Sequence, residues 1–217
     1  MKNYRLVIFD LDGTLLNTIG DLAEASNHML SLRGLPTHDY ATYCTYVGNG
    51  IMRLVERALP EAWRTAEQVA AARADFLGYY IEHIDRKTTP YAGIPELLTT
   101  LQARGIRLAV ASNKFQAGTE KLIRSYFPSI RFDVIFGQRP DVPLKPDPAV
   151  VEEILSRTGV AREEVLYVGD SGVDITTAHA AGLRAIGVSW GFRAREELLQ
   201  AHADRIIDHA EELLTEW

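Results

Sequence analysis

The strand-like runs of this chain are unevenly spaced, and that spacing restricts the possible folds more than any other feature. Leu6 to Phe9 is a short unbroken apolar run, which suits a strand buried on both faces, as in a parallel sheet covered by helices. Thr18 to about Arg86 then contains no strand-like run. Leu22, Ala25, Met29 and Leu32 recur at helical spacing until Gly34 and Pro36. Tyr40, Tyr43, Cys44 and Val47 suggest a second, short helix. Ile51, Leu54, Val55, Ala58 and Leu59 share one face of a third, and Val69, Ala72, Phe76, Tyr80 and Ile84 stripe a long fourth from Thr65. From Pro90 the texture alternates. Strands are expected at 107–111, 132–136, 165–168, 185–188 and 205–207, and helices at 96–103, 116–126, 148–157, 175–181, 196–201 and 211–214. Such alternation argues for a parallel sheet with helices on both faces. The partners of the first strand therefore lie beyond the helical stretch. The expectation is an α/β chain with a Rossmann-like parallel-sheet core, residues 1–16 and 87–217, and an all-helical cap domain, residues 17–86, inserted after strand 1. The two crossings, near Leu16–Thr18 and Arg86–Pro90, would be hinges.

The chemistry begins where the first strand stops. Asp10 and Asp12 stand two apart, so an extended chain points both to one side. Gly13 lets the backbone turn sharply or approach a ligand closely. Acids at the carboxyl end of a strand sit where open α/β sheets bind ligands. Two close carboxylates repel unless a proton or cation intervenes, and Mg²⁺ commonly takes one or two carboxylates with substrate phosphate and water. Further candidates follow other strands. Ser112 can bond a phosphoryl oxygen without adding charge. Lys145 stands among prolines in Val142-Pro-Leu-Lys-Pro-Asp-Pro148, where a held ammonium could offset phosphoryl charge. Asp170 and Asp174 lie one helical turn apart behind the fourth of these strands. Asp174 would ligate a metal or orient its shell, and also suits a helix N-terminus.

These residues together resemble the haloacid dehalogenase-like phosphohydrolases. An apolar strand followed by Asp10-Leu-Asp12-Gly13-Thr14 is similar to their first motif, Ser112 to the second, Lys145 in the form KPDP to the third, and Gly169-Asp170-Ser-Gly-Val-Asp174 to the fourth. Ser112-Asn113-Lys114 and the C-terminal Ser189–Arg193 and Ala203–Asp208 look like the phosphoglycolate-phosphatase-like branch. The resemblance implies Asp10 as the nucleophile that forms an aspartyl-phosphate and Asp12 as general acid and base. It implies Ser112 and Lys145 as catalytic, and Mg²⁺ held by Asp10, Asp12 (through its backbone carbonyl), Asp170 and Asp174. Gly13, Thr14 and Asn113 would adjoin the substrate. Gly48-Asn49-Gly50 resembles the cap loop that faces the active site in this branch, with Arg53 one turn on as a partner for a second anionic group; an ordinary helix-breaking turn is the competing reading. Asn17, where many relatives have Asp, departs from the pattern at the cap junction.

The implied function is Mg²⁺-dependent hydrolysis of a small phosphorylated metabolite, with phosphoglycolate as the default substrate. Pyrophosphatase and β-phosphoglucomutase-like activities are rivals within the class. A phospho-acceptor signalling module also carries strand-end acids, a hydroxyl and a lysine, but not a helical insertion of ~70 residues just after strand 1, which exceeds ordinary loop lengths. Asp12 argues against the dehalogenase branch, which lacks the second acid. The net charge of −6 offers no basic excess for nucleic acid or an acidic membrane surface. Cys44 is the sole cysteine, which excludes an internal disulfide and fits a reducing cytosol. No signal-peptide layout opens the chain and no apolar run approaches the ~18–20 residues of a membrane span, so a cytoplasmic protein is expected. Apolar residues of the helical stretch suit a core or an interface alike.

Overall fold

A computed structural model describes residues 3–217. At its centre β1 (Leu6–Phe9) is wholly buried. Val7 and Phe9 enter one hydrophobic cluster, Leu6 and Ile8 the other, as the two-residue period of a strand requires. Next come β2 (Leu16–Asn17), α1 (Ile19–Ser31), α2 (Tyr40–Tyr46), α3 (Gly50–Ala58) and α4 (Ala66–His83). They are followed by β3 (Thr89–Pro90), α5 (Ile94–Ala103), β4 (Arg107–Phe115), α6 (Gln116–Tyr126), β5 (Val134–Gln138) and α7 (Ala149–Thr158). The chain closes with β6 (Val165–Gly169), α8 (Gly172–Ala180), β7 (Arg184–Val188), α9 (Arg195–Gln200), β8 (Arg205–Ile207) and a 3₁₀ turn, Ala210–Glu216.

The main sheet has six strands in the order β5-β4-β1-β6-β7-β8, and every neighbouring pair is parallel. The chain therefore winds outward through β4 and β5, then returns to the other side of β1 for β6, β7 and β8. That reversal opens a crevice at the carboxyl ends of β1, β4 and β6. Leu97, Leu98 and Leu101 of α5 and Leu122 of α6 pack on the Val7–Phe9 face, while Val151 and Ile154 of α7 and Ile175 of α8 pack on the Leu6–Ile8 face. This is the α/β fold with helices inserted after the first strand that the spacing predicts.

Between β2 and β3 the chain is helical. α4 starts where the Thr65 side chain accepts from Gln68 N, a cap that relieves one unpaired amide of the first turn. Its buried stripe, Val69, Ala72, Phe76 and Tyr80, joins the same cluster as Ala25 and Met29 of α1 and Leu54 and Val55 of α3. The two crossings are joined. β2 and β3 pair antiparallel, Leu16 with Pro90 and Asn17 with Thr89. Buried Asp21 accepts from Lys87 N at 2.9 Å, Thr88 N at 2.9 Å and Thr88 Oγ1 at 2.7 Å. This ribbon and its brace are not visible in sequence periodicity, because each strand is too short to show one.

Several elements differ from expectation. β4 runs on to Phe115 through a register shift between Ala111 and Phe115, so Ser112–Lys114 lie in a bulged extension and not behind the strand. A bulge kinks the ladder and re-aims side chains, and here three consecutive residues are buried. β5 begins at Val134, because its pairing starts opposite Ala109; Phe132 instead packs near Phe127, centroids 6.5 Å apart. The C-terminal helix is 3₁₀. No helix among the described residues is long and apolar enough to cross a membrane.

Candidate active site

Asp10 continues β1, its N–H donating to Val168 O at 2.9 Å, and its carboxylate is buried in the crevice. Lys145 reaches it from the proline-rich turn. The Lys145 Nζ donates to Asp10 Oδ1 at 2.7 Å, Asp174 Oδ1 at 2.7 Å, Ala111 O at 2.8 Å and Tyr167 OH at 3.2 Å. Asn113 braces the same lysine by its backbone: Lys145 N donates to Asn113 Oδ1 at 2.9 Å, and Asn113 Nδ2 donates to Lys145 O at 3.0 Å. Asp170 follows β6 and accepts from Phe192 N at 2.7 Å. Asp174 forms a capping box with Ser171 at the start of α8, so its Oδ2 is taken by Ser171 Oγ at 2.6 Å and its Oδ1 by Lys145. Gly13, at φ +93°, lies so close beneath Asp170 that a methyl group there would overlap the carboxylate; only glycine combines that backbone with that approach.

Carboxylate oxygens of Asp10, Asp170 and Asp174 lie within 4.8 Å of one another. Burial, and then the Asp174 and Asp12 charges, push the Asp10 carboxyl up to about 7 although Lys145 opposes them. Burial, then Asp174 and Asp10, hold Asp170 well above the ordinary carboxylate range. Burial alone would lower Lys145; Asp10 and Asp174 outweigh it and keep its ammonium protonated. Three acids thus lie together, and the Lys145 ammonium pairs with only two of them, Asp10 and Asp174. The donors are all hard oxygens, and the raised proton affinities report a shortage of positive charge that a divalent cation would relieve. The residues fit Mg²⁺.

Asp12 faces a different neighbourhood. Its Oδ1 accepts from Thr18 Oγ1 at 2.6 Å and from Lys114 Nζ at 3.0 Å, and its Oδ2 accepts from the same ammonium at 3.2 Å. Lys114 also donates to Tyr80 OH of α4 at 2.6 Å. Ser112 lines the crevice, its Oγ accepting from Lys114 N at 3.1 Å.

The inserted helices roof these groups. Leu22, Val47, Ile51 and Leu54 face the acids and lysines across a cavity of about 50 Å³, room for a few waters when one occupies roughly 10–15 Å³. Roof and floor are joined where Asn113 Nδ2 donates to Gly48 O at 2.9 Å, and where Arg193 donates to Thr45 O at 2.9 Å and Val47 O at 2.6 Å.

The structure therefore brings Asp10, Asp12, Gly48, Ser112, Asn113, Lys145, Asp170 and Asp174 around one cavity. It does not bring four other candidates there. Asn49 and Arg53 line a separate outer depression. Arg53 is exposed and paired with Glu56 at 2.6 Å, because the buried face of α3 carries Ile51, Leu54 and Val55 and turns position 53 outward. Gly13 acts by its closeness to Asp170, and Thr14 is buried beneath the site, its carbonyl accepting from Trp190 Nε1 at 3.1 Å. The carboxylate of Asp12 is outside the acidic group, which leaves its backbone carbonyl for the metal role the resemblance gives it. Lys114, Tyr80, Phe192 and Arg193 line the cavity as well. The sequence alone assigns none of them a site role: Lys114 and Phe192-Arg193 stand only in stretches similar to the phosphoglycolate-phosphatase-like branch, and Tyr80 only in a helical stripe.

Residues 7–188 match the family described as haloacid dehalogenase-like hydrolase, and the chain belongs to that family. It is a phosphatase of it: the phosphoglycolate phosphatase of Yersinia pestis is 36% identical over 215 residues, covering 98% of this chain and 93% of the relative. A crystal structure from Lactobacillus delbrueckii subsp. bulgaricus superposes with a TM-score of 0.91 at 33% identity, covering 98% of this chain and 97% of the other. CbbY from Rhodobacter sphaeroides, solved in complex with phosphate, gives a TM-score of 0.81 at 26% identity, covering 97% and 96%.

Proposed function

We propose that this phosphatase hydrolyses a small phosphoric monoester through a covalent phosphoryl intermediate on Asp10, with Mg²⁺ as cofactor. The observation that carries the reading is the ammonium of Lys145 at 2.7 Å from both Asp10 and Asp174, beside an acidic group that is short of positive charge. Lys145 takes Oδ1 of Asp10, so Oδ2 is the atom that attacks phosphorus. The Asp10 Oδ2–P bond forms as the P–O bond to the alcohol breaks, and Asp12 gives its proton to the departing oxygen. Asp12 then takes a proton from water as the water oxygen bonds to phosphorus; the Asp10 Oδ2–P bond breaks, inorganic phosphate leaves and the Asp10 carboxylate is restored. Asp10 and Asp170, with the Asp12 carbonyl, would hold Mg²⁺, which supplies charge stabilisation at the phosphoryl oxygens. Asp174 serves that group by holding Lys145 and lies with Asp10 and Asp170 in the acidic group that fits the ion. Ser112 is placed to donate to a phosphoryl oxygen.

Residues 17–86 act as a cap over a core of 1–16 and 87–217, hinged at the β2–β3 ribbon. The curated relatives direct attention to phosphoglycolate as the substrate. The single cysteine suits the reducing cytosol. The test is turnover of a panel of phosphorylated metabolites, with and without chelator. Phosphoglycolate is expected at the head of the panel by kcat/KM, with loss of activity in chelator and recovery on adding Mg²⁺. Preference for a sugar bisphosphate would overturn the substrate reading, and full activity in chelator the cofactor reading.

A further inference from the structure

The chemistry above gives no task to Lys114, although it is the second buried lysine of the site. Its side chain is 2% exposed and lines the same cavity as Asp10. Burying an ammonium is unfavourable unless its partners compensate, and a methionine would fill the space without that cost. The partners are few and specific. Both oxygens of Asp12 accept from Nζ, at 3.0 and 3.2 Å. Tyr80 OH accepts at 2.6 Å, and its ring centroid is 4.9 Å from the same nitrogen. Lys114 lies in the irregular end of β4, between Ala111 and Phe115 where the register shifts, and its side chain turns to Asp12 and Tyr80. Tyr80 is fully buried and belongs to α4, the inserted segment, whereas Asp12 and Lys114 belong to the core.

We propose that Lys114 is a positioning residue for Asp12, and that Tyr80 fixes Lys114 when the inserted helices lie over the site. The proposal rests on the reading of Asp12 as general acid and base. Lys114 holds the Asp12 carboxyl group in the orientation that delivers a proton to the departing oxygen. Because its second partner comes from α4, that orientation is complete only under the helical cover, which joins exclusion of water to readiness for proton transfer.

A proton donor matters for a poor leaving group and hardly at all for a good one. The test measures kcat and KM of the Mg²⁺-saturated enzyme with phenyl phosphate and with 2,4-dinitrophenyl phosphate. In kcat/KM, which reports the steps up to phosphoryl transfer, Asp12→Asn should lose far more on phenyl phosphate than on the dinitrophenyl ester. Lys114→Met should repeat that pattern, losing about 10–100-fold in kcat/KM on phenyl phosphate and less than about 3-fold on the dinitrophenyl ester. Tyr80→Phe keeps the ring and its packing and should show the same selectivity at about 3–10-fold, which guards against a misfolded lysine variant. Adding Lys114→Met to Asp12→Asn should cost nothing more, since residues acting as one unit are not additive. Equal losses of kcat/KM on both esters in Lys114→Met and Tyr80→Phe would overturn the proposal while Asp12→Asn still discriminated between the esters. If Asp12→Asn itself fails to discriminate, the acid–base reading falls and takes this proposal with it.

Discussion

Asp10 and Asp12 are two residues apart, yet they belong to different parts of the molecule. Asp10 is enclosed by the ends of core strands: Lys145 at 2.7 Å, with Asp170 and Asp174 alongside. Asp12 looks toward the crossing and the inserted helices, through Thr18 at 2.6 Å and through Lys114, which Tyr80 of α4 holds. Each acid has its own buried lysine. The difference teaches a division of labour within one motif. The Asp10 side is a closed network of core charges, suited to chemistry that does not vary with the substrate. The Asp12 side depends on contacts that cross to the roof, so a proton step there can follow the position of the inserted helices.

The strongest way to break this comparison is to remove the lysine of the core side. Lys145→Met leaves Asp10 and Asp174 without their shared ammonium and removes charge stabilisation from the phosphoryl group. It should lower kcat by roughly 10²–10³-fold, and to the same extent for phenyl and 2,4-dinitrophenyl phosphate. A loss that depended on the leaving group, as expected for Lys114→Met, would erase the distinction between the two lysines.

A smaller effect sharpens the electrostatic half. Asp10 is raised from its ordinary value near 3.8 to about 7, by burial first and neighbouring acids second, and Asp170 is raised for the same reasons. Between those pH values the folded metal-free protein keeps protons that the unfolded chain has released, so its stability falls as pH rises toward 7. Mg²⁺ competes with those protons, and its stabilisation should therefore grow with pH. Thermal midpoints in chelator and in Mg²⁺, at pH 5 and pH 8, should show a gain of a few degrees at pH 8 and a smaller one at pH 5. Equal gains at both would mean that the acids near Asp10 are not short of charge.

Much of this arrangement was legible in the sequence, for physical reasons that differ by element. β1 could be read because a strand buried on both faces is apolar without interruption, and the sheet followed because its other strands all lie beyond the helices. Asp10 and Asp170 could be read because they directly follow strands, and Lys145 and Asp174 because they stand in stretches similar to the family's third and fourth motifs. Lys114 could be read only as part of the Ser112-Asn113-Lys114 likeness, because its partners Asp12 and Tyr80 are brought to it by the fold and leave no local signature. The Asn49–Arg53 stretch misled in an instructive way. The loop does approach the floor, but by the carbonyl of Gly48. The apolar face of α3, already visible as Ile51, Leu54 and Val55, sends Arg53 to the outside.

The central claim is that Asp10 carries the phosphoryl group and Asp12 moves protons. It is tested most directly in the Asp12→Asn protein mixed with 2,4-dinitrophenyl phosphate and Mg²⁺, quenched in acid and digested for peptide mass spectrometry. The first step needs no acid with this ester, while the second lacks its base, so the intermediate should accumulate. The account predicts one added phosphoryl mass on the peptide at Asp10, and none when Asp10→Asn is included. An unmodified Asp10 peptide, or a phosphoryl group on Asp12, Ser112 or Asp170 instead, would contradict it.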